Sequence, residues 1–431
     1  EQVIAFQNRA AGLRGFLAIH DTTLGPALGG TRLWRYATEE EALADALRLS
    51  RAMTYKAALA ELPCGGGKAV ILDHPGLKRA EAFEAYGRLV GSLRGRFYTG
   101  TDVGVTPEDL AAVGRGTSHV ACESTPELGD INEHTARGVW YGMRACLEAV
   151  GLKRVRVALQ GVGAVGMWLG RILRREGMEL TVADLNQGRA RQAELELGAR
   201  VVAPEEILFV ECDVLAPCAL GGVVNEQTLP KIRARVVCGS ANNVLASPEA
   251  GDELVRRGIL YAPDYLVNAG GLIRGAEFDL LKRADSSESI ARIYERMQRV
   301  LTLAQERGVS TARVADELAE ARLKKGKTYQ DLYWGRLRPS PKPPPAKASA
   351  ARRSADRCCD FSLCHLLFQV VIALSGRLCR PCTSARRCNS CLRQLRWLSR
   401  DREDRKPQDR HTLHGRRPCE YLKASPFCTG W

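Results

Sequence analysis

The feature that most constrains this chain is a strand, a glycine-rich turn and a helix in immediate succession near its middle. Val155-Arg156-Val157-Ala158-Leu159 reads as a strand, and Gly161-Val162-Gly163-Ala164-Val165-Gly166 follows it directly. Met167 to Arg175 then has helical spacing, ahead of Gly177 and a second apolar run from Leu180 to Ala183. Two strands joined through a helix pair in parallel, because the crossover returns the chain to the starting edge of the sheet. Glycines at this spacing allow a tight turn and close backbone approach, so that helix N-terminal amides can face a pyrophosphate. The triplet alone is a weak signal. Asp184, about 20 residues further on at the end of the second strand, adds a carboxylate that accepts ribose hydroxyls and repels a ribose phosphate. Gly161, Gly163, Ala164, Val165, Gly166 and Asp184 are therefore expected to hold NAD rather than NADP. Short strands at Val214-Leu215-Ala216 and Arg235-Val236-Val237 extend the pattern to an α/β domain with a parallel sheet.

Ahead of this unit, Phe16-Leu17-Ala18-Ile19 reads as a strand. Thr38, with Glu41 three residues later, opens a helix that runs to Met53 and leads into Thr54-Tyr55-Lys56. Further helices are expected over Arg79 to Leu93, from Pro107 with Thr106 as N-cap, and over Ser289 to Leu303.

A formal net charge of +14 would suggest a nucleic-acid partner if it were spread along the chain. It is not. From Lys324 onward 24 Lys and Arg stand against 8 Asp and Glu, which leaves residues 1–323 at −2. The cysteines divide similarly: Cys64, Cys122, Cys146, Cys212, Cys218 and Cys238 are scattered through the first part, and nine follow it. Scattered thiols without a disulfide framework suit the cytoplasm, and no signal-peptide succession follows Glu1. Proline fills five of the seven positions 339–345, an extended linker, and the residues beyond have no periodic apolar face to offset ordering entropy. The longest apolar run there, Leu366 to Leu374, is too short to span a bilayer. Cys379-x-x-Cys382 and Cys388-x-x-Cys391 offer four thiolates, but only five residues separate the pairs and no core surrounds them, so no metal is expected. Basic and aromatic residues do not interleave as in a nucleic-acid surface. Residues 324–431 are read as a disordered or non-native tail, with neither nucleic acid nor membrane as a partner.

Three groups nearer the N-terminus look chemical. Lys56 ends a helix, Lys68 stands between Gly65-Gly66-Gly67 and Ala69-Val70-Ile71-Leu72, and Asp102 lies in Thr99-Gly100-Thr101-Asp102-Val103-Gly104. A lysine is ordinarily solvated and a triple glycine ordinarily a turn. A lysine entering a buried strand is different, because desolvation disfavours its charged form. Together with Thr22-Thr23-Leu24-Gly25-Pro26-Ala27-Leu28-Gly29-Gly30-Thr31-Arg32, Met53-Thr54-Tyr55-Lys56 and Tyr261-Ala262-Pro263-Asp264-Tyr265-Leu266-Val267-Asn268-Ala269-Gly270-Gly271, these segments resemble the Glu/Leu/Phe/Val dehydrogenase family. The resemblance is closest to its leucine, phenylalanine and tryptophan dehydrogenase branch and runs in order over residues 1 to 323.

It implies an α/β protein of two domains, a mixed-sheet substrate domain over 1–134 and a Rossmann-type NAD-binding domain with returning helices over 135–323. The implied reaction is reversible oxidative deamination of a nonpolar L-amino acid to its 2-oxo acid and ammonia, by a homo-oligomer. Lys56 would bind the substrate carboxylate, Lys68, kept partly neutral by its neighbours, would be the general base, and Asp102 would relay protons to and from the amino group. Gly29 would line the pocket through its backbone, with Leu28, Gly100, Met297 and Val300 around the substrate side chain. Asn268 would orient nicotinamide and substrate, Ser240-Ala241-Asn242 would approach the nicotinamide ribose, and Thr135 the nicotinamide amide.

The sequence departs from the family at Asp130-Ile131-Asn132-Glu133-His134, where a proline-flanked Ser/Thr is usual, and His134 is read as a partly exposed loop residue. It departs again at Ala276-Glu277-Phe278-Asp279. A nonenzymatic binding module with a basic, nucleic-acid-binding tail is the reading from another class, and the presence of both lysines argues against it. Glutamate as substrate would require a cation where Leu28, Met297 and Val300 are apolar. Leucine or another branched-chain amino acid is favoured. Phenylalanine or tryptophan is the alternative, because Gly100 stands where leucine-preferring members tend to carry alanine.

Overall fold

The structure, a computed structural model, describes residues 2–121 and 125–337, with side chains up to residue 326. The proline run and both cysteine pairs of the expected tail lie outside the described residues.

The first sheet is built from β1 (Gln2–Asn8), β2 (Leu13–Asp21), β3 (Ala27–Trp34), β4 (Gly65–Leu72) and β5 (Phe97–Thr101), in the spatial order β1-β2-β4-β3-β5. β1, β2 and β4 are antiparallel in turn, while β3 runs parallel to both β4 and β5, so the sheet is mixed. Three helices, α1 (Glu39–Leu59), α2 (Arg79–Ser92) and α3 (Pro107–Gly114), accompany it. All eight residues of β4 are buried, and successive side chains leave a strand on opposite faces. Ala69 and Ile71 enter a core with Leu17, Phe83, Tyr86 and Phe97, whereas Val70 and Leu72 meet Ala42 and Ala46 of α1. Burying each large apolar side chain contributes roughly 1.5–3 kcal/mol. The Tyr86 hydroxyl is satisfied in that core, 2.8 Å from Thr31 Oγ1 and 3.1 Å from Thr99 Oγ1.

Gly65-Gly66-Gly67 belongs to β4 itself and is not a turn before it. The reason is close approach. A Cβ at Gly66 would lie 2.1 Å from Thr54 N and 2.6 Å from Ser50 O of α1, and one at Gly67 would lie 2.6 Å from the Phe97 ring. Gly66→Ala is accordingly expected to cost about 1–3 kcal/mol of stability by overpacking against backbone. Urea unfolding should show a lower midpoint at unchanged slope. α1 also runs on to Leu59 instead of ending at Met53, because Ala57, Ala58 and Leu59 continue its buried face. Lys56 thus sits inside the last turn.

α4 (Ile131–Ala149) leads to the second sheet, and the division expected at 134/135 falls in its first turn. There follow β6 (Arg156–Gln160), α5 (Ala164–Arg175), β7 (Glu179–Ala183), α6 (Gln187–Leu197), β8 (Arg200–Val201), β9 (Val214–Pro217), β10 (Val236–Val237), α7 (Pro248–Arg256) and β11 (Leu260–Tyr261). The order β11-β10-β9-β6-β7-β8 is parallel throughout. Counted from β6 this is the doubly wound dinucleotide-binding order, whose ligand crevice opens at the switch point between the first and fourth strands, here β6 and β9.

The chain returns through α8 (Asp264–Val267), α9 (Gly270–Leu281), α10 (Ser287–Ala291), α11 (Ile293–Arg307) and α12 (Thr311–Leu337). A break at Arg292 separates α10 from α11, where the sequence predicts one helix, and α12 continues past the expected junction at Leu323. α12 packs on α1 and α11 on α4, which ties the returning helices to both sheets. Among the described residues no helix is long and apolar enough to cross a membrane.

Candidate active site

Register assembles the chemistry. Leu28 pairs with Gly66 and Tyr98, and Gly30 with Gly100, so the even-numbered residues of β3, β4 and β5 share the face under α1. Leu28, Arg32, Lys68, Gly100 and Asp102, which follows β5 directly, are thereby brought together. Lys68 Nζ lies 2.8 Å from Asp102 Oδ2, and Arg32 Nε is 2.9 Å from the same oxygen. Arg32 Nη1 in turn meets Asp45 Oδ2 at 2.9 Å, and the Tyr36 hydroxyl donates to that carboxylate at 2.7 Å.

Burial pushes the buried Lys68 ammonium below the ordinary lysine range, against the opposing pull of Asp102. Burial would raise Asp102, but Lys68 and Arg32 outweigh it and hold the carboxyl below its usual range. Desolvation therefore favours the neutral amine of Lys68, and its carboxylate neighbour does the reverse.

Lys56 reaches from the last turn of α1 to within 3.3 Å of Asn242 Oδ1. Burial lowers its pKa to about 8; Asp264 and Asp102 oppose that shift and Lys68 adds to it. Asn242 Oδ1 also accepts from Asn268 Nδ2 at 2.9 Å, and the same amide donates to Ser240 O at 3.1 Å. One polar chain thus joins Lys56 to the segment after β10 and to Asn268 after α8. Asn268 Oδ1 is buried without a hydrogen-bond partner among the described residues. Leaving such an acceptor unpaired costs about 1–3 kcal/mol, so the position suits a donor from a ligand or water.

The three glycines of the βαβ turn play different parts. Gly161 takes φ +89°, a Cβ at Gly166 would lie 2.1 Å from Gly161 O, and a Cβ at Gly163 would meet nothing nearer than Arg189 Nη1 at 4.0 Å. The first permits the turn, the third lets α5 pack, and the second leaves open space at the helix end. No side chain caps α5, whose N-terminal amides and dipole suit a pyrophosphate. Asp184 Oδ2 accepts from Val162 N at 2.9 Å and Oδ1 from Asn186 N at 2.8 Å, which leaves carboxylate lone pairs for ribose hydroxyls. These residues fit a dinucleotide. Thr135 stands just past the first turn of α4, its hydroxyl donating to Ile131 O at 2.9 Å.

Residues 1–119 match the family model for the Glu/Leu/Phe/Val dehydrogenase dimerisation domain, and residues 170–325 that for Glutamate/Leucine/Phenylalanine/Valine dehydrogenase. The leucine dehydrogenase of Geobacillus stearothermophilus is 46% identical over 332 residues, covering 75% of this chain and 90% of the relative. The chain belongs to the Glu/Leu/Phe/Val dehydrogenase family. The L-tryptophan dehydrogenase of Nostoc punctiforme is 43% identical over 333 residues, 76% of this chain and 94% of that one. A crystal structure of L-tryptophan dehydrogenase from Nostoc punctiforme aligns with a TM-score of 0.67 at 40% identity, covering 76% of this chain and 96% of its own. As a family member the chain is an NAD(P)-dependent amino-acid dehydrogenase, an oxidoreductase acting on CH–NH2 donors.

Two of the residues expected around the substrate side chain fall in a different apolar cluster from Leu28. Met297 and Val300 are fully buried among Leu59, Met143 and Leu266, whereas the apolar neighbourhood of Leu28 contains Ala57, Ala269, Ile290 and Ile293. Ile290, Ile293, Met297 and Val300 recur at three- and four-residue steps, so helical periodicity gives all of them one face and does not say which pair reaches Leu28. His134 lies on α4 and not in a loop; it is half-buried, and burial lowers its pKa, with Arg274 and Arg137 adding to the shift. Among the described residues no cluster of His, Cys, Asp and Glu is arranged to hold a metal.

Sequence reasoning gave no role to Arg32, Asp45 or Asp264. Asp45 stands about three helical turns before Lys56 on α1, a spacing that places both on one face. Asp264, buried, accepts from Val244 N at 2.8 Å and from the Tyr261 hydroxyl at 3.1 Å, fixing the loop that carries Ser240 to Asn242.

Proposed function

We propose that the chain is an NAD-dependent dehydrogenase that reversibly deaminates a nonpolar L-amino acid, leucine or another branched-chain one, to the 2-oxo acid and ammonia. In this reading residues 1–134 form the substrate domain and 135–323 the NAD domain of a cytoplasmic homo-oligomer. The observation that carries it is the buried Lys68–Asp102 pair, beside a Lys56 hydrogen-bonded to the Asn242 segment of the nucleotide-binding half.

The Lys56 ammonium holds the substrate carboxylate, and Asp102 accepts a proton from the substrate ammonium so that the nitrogen lone pair can form a C=N bond. NAD+, when bound, supplies the acceptor for the hydride leaving Cα. Neutral Lys68 then takes a proton from the water whose oxygen bonds to the iminium carbon. Asp102 returns a proton to the nitrogen, the C–N bond breaks as the carbonyl forms, the hydroxyl proton passes to the departing ammonia, which leaves as ammonium, and Lys68 releases its proton to solvent. The net change is amino acid, NAD+ and water to 2-oxo acid, ammonium, NADH and a proton. Thr135, Asn268 and the Ser240-Ala241-Asn242 segment orient the nicotinamide end, with Asn268 Oδ1 the open acceptor. Closure around the site excludes bulk water.

An Asp at position 184 supports NAD over NADP. The apolar neighbours of Leu28 support a nonpolar side chain, in keeping with the leucine and L-tryptophan dehydrogenases among the relatives. A Cβ at Gly100 would lie 2.8 Å from Ala121 O, so backbone packing by itself accounts for a glycine there and its missing methyl is no argument for an aromatic substrate. With NAD, kcat/KM for leucine and valine should exceed that for glutamate by about tenfold or more. Glutamate as the best substrate would overturn the reading, and phenylalanine or tryptophan as the best would move it to the aromatic branch.

Lys56→Ala should raise KM for the amino acid about tenfold or more by removing a charge-assisted hydrogen bond. The same assignment fixes a pH limb. The Lys56 amine, with its pKa at about 8, loses its charge as pH rises, so KM should climb above that point. A KM flat in pH and insensitive to Lys56→Ala removes this residue from the carboxylate site.

A further inference from the structure

Between the C-terminal end of α1 and helices α8, α11 and α12 lies a cavity of about 200 Å³ that neither Lys68 nor Asp102 lines. Its apolar wall is formed by Leu59, Leu266, Val300 and Leu318, and its charged wall by Arg296, Arg299, Arg322 and Lys325, with Glu61 the one carboxylate among the described lining residues. Arg296 is largely buried. Its Nη2 is 3.2 Å from Glu61 Oε2 and its Nη1 donates to Ser289 O at 3.3 Å, while its Nε is buried with no hydrogen-bond partner among the described residues. Arg322 donates to Leu62 O at 3.2 Å, and burial lowers its pKa, Arg296 adding to that shift and Glu61 opposing it.

Glu61 itself sits at φ +60°, a left-handed backbone that costs a non-glycine residue roughly 1–2 kcal/mol. A strained turn therefore holds the one carboxylate among the described lining residues against four cations. The excess of cations is what an oxyanion would offset, since a guanidinium presents a fork of donors matched to carboxylate or phosphate. At about 30 Å³ per water the cavity holds roughly seven waters, room for an oxyanion with a short alkyl group.

We propose that this cavity is a second ligand site, separate from the amino-acid and dinucleotide sites, that binds a small phosphate or carboxylate carried on a short apolar group. Calorimetric titration of the full chain with butyl phosphate, butyrate and inorganic phosphate tests it, comparing wild type with Arg322→Gln and with the cavity-filling Ala321→Met. Both substitutions leave Lys56 and the Gly163 turn untouched, so anion binding at those places is common to all three proteins and cancels. The expected result is saturable binding of butyl phosphate or butyrate to the wild type, tighter than that of inorganic phosphate and weakened about tenfold or more in each variant. Whichever alkyl anion binds more tightly identifies the headgroup. Equal affinities in all three proteins, or no saturable binding to the wild type, would overturn the proposal, and should Arg322→Gln fail to fold, Ala321→Met alone decides it.

Discussion

Replacing Lys68 by alanine is expected to lower kcat by about 10²–10⁴-fold while NAD binding stays nearly unchanged. On the proposed mechanism this buried amine takes a proton from the attacking water and has no part in holding the cofactor. The fold should survive the change. Asp102 keeps its 2.9 Å contact with Arg32 Nε, so no carboxylate is left buried without a cation. The wild-type enzyme should gain rate as pH rises through the lowered Lys68 pKa, because only the neutral amine accepts a proton, and the variant should lose that limb. Steady-state kinetics over pH, with fluorescence titration of NAD, separates the two effects. A variant with wild-type kcat and an unchanged profile excludes Lys68 as the base.

Asp184→Ser should shift the ratio of kcat/KM for NAD over NADP by about 10–100-fold toward NADP, since hydrogen bonds to a charged acceptor are worth roughly 1.5–3 kcal/mol. Two changes act in one direction. The ribose hydroxyls of NAD lose their carboxylate, and a ribose phosphate no longer meets a like charge. Part of the loss with NAD comes from the turn itself, because Asp184 Oδ2 also accepts from Val162 N. That part weakens both dinucleotides alike, so the ratio, not the absolute rate, carries the information. A wild-type enzyme that already prefers NADP, or a ratio unmoved by the substitution, contradicts the assignment.

The nucleotide half was legible because its information is local: strand, three glycines, helix and a closing carboxylate occupy one short run, Val155 to Asp184. The first sheet was harder to read. Gly29-Gly30 and Gly65-Gly66-Gly67 erase the alternation that marks β3 and β4, although they are the positions where α1 and neighbouring strands approach most closely. Once the register is known, the pairing of Gly30 with Gly100 carries Arg32 to Asp102, a contact between residues seventy positions apart that no local pattern reports. The surroundings of Leu28 were hard to read for a different reason. Ile290, Ile293, Met297 and Val300 are equivalent in periodicity, and only the tertiary path of α10 and α11 sets the first pair beside Leu28. The direction of Asp102's influence on Lys68 was likewise invisible until the 2.8 Å ion pair was known.

On the proposed mechanism, the hydrogen at the α-carbon of a nonpolar amino acid leaves as hydride and ends on the nicotinamide ring of NADH. Incubating the enzyme with NAD and L-leucine deuterated at Cα, then analysing the reduced dinucleotide by mass spectrometry, tests it most directly. The expected product is NADH that carries the deuterium, formed together with the 2-oxo acid and ammonia and lost in Lys68→Ala. Unlabelled NADH with deuterium in the solvent, or no reduced dinucleotide with any nonpolar amino acid, would contradict it.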